Sequence, residues 1–391
     1  MYRIQDQDGI IYNVADTIDA FSQCNEDDCQ MLADAIEIIR GSYQKAAEMY
    51  SCGLQAKILV SDSHEKQFLV TALPDSATTG IIICVGLLRA VRDCILMKYS
   101  DAILEKLFPD DEKNDIRAKI YNYAIKFLAL HELFHIWHGH DYWATHFYYT
   151  DLSAPLKGNG RKLYQECKPL VYGLSDNDRQ AIEANRDKFL IVLQYNITQQ
   201  AMEADADRTA LGYLANSVVN EMKALPIGER NTFAIRELSL LEAGLCIAAY
   251  IFSNNDRREY SFESIPKDIA EIDHPTPAIR FFMGDRQIRT VIRMRIKDSK
   301  IRNAVFQKIE VAVKDVEREY AQEHSLSYAF FDLAYCENAQ KSARTIMQRY
   351  NNMWETLKEV AECDLEPKYS EELLKPNPEY ILFDALGNKL V

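Results

Sequence analysis

The chain has 391 residues, with 45 Lys and Arg against 59 Asp and Glu and a formal net charge of −14. Hydrophobic residues at 48% and charged residues at 27% exclude a disordered, collagen-like or low-complexity chain and leave room for two or three domains. An acidic balance also argues against binding along a phosphate backbone, which needs a basic surface.

The first residues lack a basic segment followed by an apolar one, so no signal peptide is expected. Residues 1–13 alternate weakly and can pair as a hairpin around Asp8-Gly9. Residues 27–50 carry apolar residues at helical spacing, with Asp27 and Asp28 at the N-terminal end. Short branched runs at Lys57–Val60, Gln67–Ala72 and Gly80–Gly86 read as strands. From Leu87 onward the pattern is helical: 87–107, 114–139, 176–222, 232–252, 276–297, 300–323 and 338–362. Prolines then punctuate a tail with a possible strand at Tyr380–Asp384. The expected class is α+β and mostly helical, with a small N-terminal sheet. The longest apolar stretches, Thr79–Tyr99 and Phe233–Phe252, are interrupted by Arg89, Arg92 and Asp93 and by Arg236 and Glu242. They read as buried helices rather than membrane spans. Nine scattered cysteines, with no C-x-x-C pair, fit reduced thiols in the cytoplasm.

The segment His131-Glu132-Leu-Phe-His135-Ile-Trp-His138-Gly-His140 holds four of the eight histidines. On a helix His131 and His135 lie one turn apart on one face, where both can bind one zinc ion. Glu132 is offset by about 100°, which suits a general base that need not ligate the metal. A catalytic zinc takes a third protein ligand. The elongated motif that places a histidine six residues after His135 fails, because Asp141 stands there, though Asp141 remains a fallback ligand. The better source is Glu203-Ala-Asp205-Ala-Asp207. Glu203 and Asp207 share a helical face, so Glu203 can ligate while Asp207 accepts a hydrogen bond from a ligand histidine. Asp205 points elsewhere and is expected to be solvated. The helix is otherwise free to be only an acidic, hydrated turn.

These residues resemble the HtpX-type, CAAX-prenyl-protease-like zinc metallopeptidases, a gluzincin family. The helix H-E-L-F-H-I-W-H-G-H is similar to that family's H-E-x-x-H-x-x-x-x-H, with His140 last. Glu203-x-x-Ala206-Asp207 is similar to its E-x-x-A-D. The strand Lys57–Asp62, then Ala72-Leu73-Pro74, then Gly80–Gly86-Leu87-Leu88 follow in family order, and His274-Pro275 with Arg280 resembles a late H-P…R element. The helical motif also resembles that of the Lit-type phage-exclusion peptidases. The resemblance implies one Zn²⁺ held by His131, His135 and Glu203, with Glu132 as base and Asp207 behind the ligands. It implies His274 as a catalytic, oxyanion-side group and Arg280 and His140 as substrate contacts. It further implies that Ile82 and Cys84 lie on an edge strand over the active-site helix, where a substrate backbone adds by strand augmentation.

The expected layout is an accessory segment at 1–52, a zinc metallopeptidase core at 53–285 and a C-terminal helical region at 286–391 that regulates or recruits. The expected activity is hydrolysis of peptide bonds in protein or peptide substrates, without membrane insertion or nucleic acid. The competing reading is a metal-stabilised helical adaptor or sensor without turnover. It rests on residues 280–308, where nine Lys and Arg stand against two Asp. That stretch can meet an acidic partner, or it can be a solvated helix face.

Overall fold

The computed structural model describes residues 2–5, 11–15, 25–50, 56–63, 68–72, 79–150, 155–171, 183–255 and 274–364. The expected strand at 380–384 and residues 176–182 at the start of the expected helix 176–222 lie outside them. The described residues are mostly helical, with a small sheet at the N-terminal end.

Five strands make that sheet: β1 (Tyr2–Gln5), β2 (Ile11–Ala15), β3 (Ala56–Ser61), β4 (Phe68–Ala72) and β5 (Thr79–Cys84), in the order β1-β2-β3-β5-β4. β3 and β5 are parallel, with Ile58 opposite Ile81 and Ser61 opposite Cys84. The other pairs are antiparallel, including the β1–β2 hairpin. β5 is therefore not an edge strand. It is paired on both sides, and Ile82 and Cys84 are fully buried. This corrects the expected augmentation site: backbone groups already used in two ladders have none left for a substrate strand.

Helix α1 (Glu26–Tyr50) precedes β3, and β5 runs straight into α2 (Val85–Lys98). The expected helix 87–107 is broken at Tyr99. Ser100 caps a separate α3 (Asp101–Leu107), its hydroxyl accepting from the Ile103 amide. The central helix is α4 (Lys113–Trp137), followed by the short α5 (His140–His146), a two-residue pairing of β6 (Phe147–Tyr148) with β7 (Leu156–Lys157), and α6 (Gly160–Val171). Two long helices come next, α7 (Arg186–Ala224) and α8 (Ile227–Asn255). The rest are α9 (Pro277–Arg295), α10 (Ser299–Ile309), a π-helical segment Glu310–Asp315, α11 (Val316–Glu323), α12 (Phe330–Ala334) and α13 (Glu337–Asp364).

α4 is apolar on nearly every side from Ala124 to Phe134 because α1, α2, α7 and α8 all pack on it. α8 approaches closely at Gly244. A Cβ there would lie 2.8 Å from the Tyr123 Cβ and 2.9 Å from the Ala124 amide nitrogen. α9 packs between α7 and α8, and α13 lies along α7. The expected domain border at 285/286 falls inside α9, between residues of one buried cluster: Arg289 donates to Asp285 at 2.6 Å. Among the described residues, no helix is long and apolar enough to cross a membrane.

Candidate metal centre

Two helices build the centre. α4 presents His131 and His135 from its last two turns, and α7 presents Glu203. Ala201, Ala204, Ala206 and Ala210, all without exposed surface, let α7 approach closely. The Nε2 atoms of His131 and His135 are 3.0 Å apart. Glu203 faces both, with Oε2 at 3.3 Å from His131 Nε2 and Oε1 at 3.4 Å from His135 Nε2. Three donor atoms thus converge on one point, and the group can hold a metal ion. Glu132 Oε1 lies 4.0 Å from His131 Nε2, beside the triangle rather than in it. His274, just before α9, brings Nε2 to 3.8 Å from Glu203 Oε1. The His274 side chain is 61% exposed, while that of His131 is 6%.

Behind the triangle the side chains are held by charge. His131 Nδ1 is 2.8 Å from Asp207 Oδ1. Arg280 grips the same carboxylate with both Nε, at 2.8 Å, and one terminal nitrogen, at 2.7 Å, and its other terminal nitrogen is 3.6 Å from Glu203. Arg280, expected as a substrate contact, is thus paired chiefly with Asp207, its side chain 12% exposed. The pKa values follow. Burial opposes charge on His131, yet Asp207 raises it to about 10, against Arg280. Burial also opposes charge on Glu203, which His135 and His131 nevertheless hold well below the usual carboxylate range. Burial raises the Glu132 carboxyl above its ordinary value, with His131 and His135 pulling the other way.

A second cluster backs His135. The αL conformation of Gly139 (φ 65°) ends α4 and reverses the chain, so His140 returns beneath His135. Their Nδ1 atoms are 2.8 Å apart, and His140 Nε2 is 3.1 Å from Asp205 Oδ2. Asp205 also takes a short hydrogen bond from His138 Nδ1 and one from the Tyr350 hydroxyl on α13. Burial lowers His140 to about 4 despite Asp205, so its imidazole is neutral near pH 7. Burial opposes charge on Asp205, yet His138 and His140 hold its pKa far below the usual range. His138, His140 and Asp205 also have the composition and spacing to hold an ion.

This cluster corrects two expectations. Asp205 is 1% exposed rather than solvated, because α7 is buried on more than one face. His140 is buried against Asp205 and His135, so it does not line a substrate surface. The side chain of Asp141, the fallback ligand, lies outside the described residues. The cluster's signal in the sequence was faint: His138 and His140 near His131 and His135, and an acid between two alanines. Nothing in the sequence pointed to Tyr350.

The basic stretch 280–308 is only in part a cationic face. Arg286 and Arg289 are buried with Asp285, whose carboxylate also accepts from the Tyr335 hydroxyl, and Arg295 donates to Asn216. The cationic surface on which the adaptor reading rests is therefore smaller than the count of nine implies, with Arg295, Lys297 and Lys300 at its exposed part. Compared with protein-family models, with curated proteins and with solved structures, the chain finds no match.

Proposed function

We propose that the chain is a zinc-dependent metallopeptidase of gluzincin type that cleaves protein or peptide substrates. The observation that carries this reading is the triangle of His131, His135 and Glu203, with Glu132 at its side. Zinc bonds of about 2.0–2.2 Å in a tetrahedron separate ligand atoms by about 3.3–3.5 Å. The distances of 3.0, 3.3 and 3.4 Å come close to that spacing. Two imidazoles and a carboxylate are also the donor set of catalytic zinc sites that keep one position open. Zinc bound there supplies a Lewis acid that lowers the pKa of water toward neutrality and polarises a carbonyl.

The chain's own residues supply the rest. Glu132, its pKa raised by burial, accepts a proton from the attacking water and delivers it to the amide nitrogen as the C–N bond breaks. His274, exposed and beside Glu203, stabilises the oxyanion of the tetrahedral intermediate. Asp207 and Arg280 hold His131 in place. The resemblance of the motifs and their order to those of the HtpX-type peptidases supports a peptide amide as substrate. The test is a profile of new protein N-termini in cells expressing the wild type or Glu132→Gln. The expected result is a set of cleavages present only with the wild type, since loss of a general base costs about 10²–10⁴ in rate. Identical profiles would contradict the reading.

A further inference from the structure

We infer that His140 and Asp205 form a positioning relay that fixes the tautomer and orientation of His135. The inference rests on the metal centre proposed above. It concerns the buried side of that centre, behind His135.

The proton positions follow one from the next. His135 directs Nε2 at Glu203 and His131, so in the loaded site its metal-binding lone pair is on Nε2 and its proton is on Nδ1. That proton points at His140 Nδ1, 2.8 Å away. His140 Nδ1 must then accept, which places the His140 proton on Nε2. From there it is donated to Asp205 Oδ2 at 3.1 Å. The carboxylate ends the chain and also accepts from His138 and Tyr350. Asp205 thus does for His135, through one intervening imidazole, what Asp207 does directly for His131.

Helix geometry explains the intervening ring. Glu203 and Asp207 are four apart on α7 and share a face, whereas Asp205 is turned about 200° from Glu203. It does not reach His135 itself. The reversal at Gly139 delivers His140 into the gap. His140 is 5% and Asp205 1% exposed, so neither competes with water for its partner.

The same trio has the makings of a separate ion site, but the proton order opposes it. An ion on His140 Nε2 would move the His140 proton to Nδ1. Two N–H groups would then face each other across the 2.8 Å to His135. A loaded first site and a loaded second site are therefore antagonistic, and the relay is the arrangement compatible with zinc on His135.

The experiment uses the full chain as wild type, Asp205→Asn, His140→Leu and His140→Gln. Each is stripped of metal and titrated with zinc against a chromophoric chelator. Circular dichroism and melting of the metal-free forms check the fold. The expected wild-type result is one zinc per chain. Affinity should fall about 10- to 100-fold in Asp205→Asn and His140→Leu. His140→Gln should recover part of the loss, because an amide offers one acceptor and one donor. Leu and Gln have similar size, so equal affinities in that pair would overturn the relay even if Asp205→Asn fails to fold. Two zinc ions per wild-type chain, one of them lost in Asp205→Asn, would also overturn it by making the trio a metal site. No zinc uptake by the wild type would overturn the metal centre and the relay together, whereas unchanged affinity in the variants would overturn the relay alone.

Discussion

At the scale of single residues, the centre holds a proton on a histidine that could instead hold a metal ion. Without metal, His131 is held as an imidazolium by Asp207, with a pKa raised to about 10. A raised histidine pKa contributes stability that is fully present below the unfolded value of about 6.5 and is lost as pH climbs through the folded one. The metal-free chain should therefore melt at progressively lower temperature between pH 6.5 and 10. The metal-loaded chain, whose His131 is already neutral, should not show this decline. Metal uptake must also displace the proton, so apparent zinc affinity should rise with pH, by up to about tenfold per unit. Chelator competition at several pH values checks this, and a flat profile would contradict it. The same scale shows what was legible. The four-residue spacings of His131–His135 and Glu203–Asp207 fix shared helical faces, and those pairs meet as the spacing implies. Spacing gives a direction but not what lies there. Asp205 points away from Glu203 as read, yet into histidines and Tyr350 rather than water.

At the scale of elements, the centre depends on how closely helices approach. α8 crosses α4 at Gly244, about two turns before His131. A methyl group there would meet the Ala124 amide nitrogen at 2.9 Å, and backbone cannot step aside as a flexible side chain can. Gly244→Ala should cost about 1–3 kcal/mol of stability in denaturant unfolding. Gly139→Ala strains the left-handed turn and should cost about 1–2 kcal/mol, while Gly139→Asn should cost less. Most helices were readable from apolar periodicity, because each buries a continuous stripe. The break at Ser100 and the π-helical turn at Glu310–Asp315 were not, since both interrupt a period that continues on either side. The place of β5 was also hidden. Which strands flank it is a non-local pairing, and a run such as Gly-Ile-Ile-Ile-Cys-Val suits an edge or an interior strand equally.

At the scale of the whole molecule, the C-terminal third is part of the fold that supports the centre. Lys98 on α2 is buried 2.5 Å from Glu317 on α11, and the Cys246 thiol donates to the same carboxylate. Lys98→Met would leave Glu317 buried without its cation and should cost about 3–5 kcal/mol, measured by denaturant unfolding. Arg349 on α13 donates to Gln194 on α7, and Tyr350 reaches Asp205. A chain ended at residue 285 would cut α9 and remove Tyr350, so it should lose its fold rather than gain activity. Charge counting missed the buried part of this region because nine cations in 29 residues look like a surface, whereas the burial of Arg286 and Arg289 depends on partners such as Asp285 and Tyr335. The most direct test of the central claim combines zinc content with hydrolysis in three forms of the full chain. The wild type should hold one zinc and cleave protein substrate, Glu132→Gln should hold one zinc and not cleave, and His135→Ala should do neither. Undiminished cleavage by Glu132→Gln, or by wild type stripped of metal, would contradict the account.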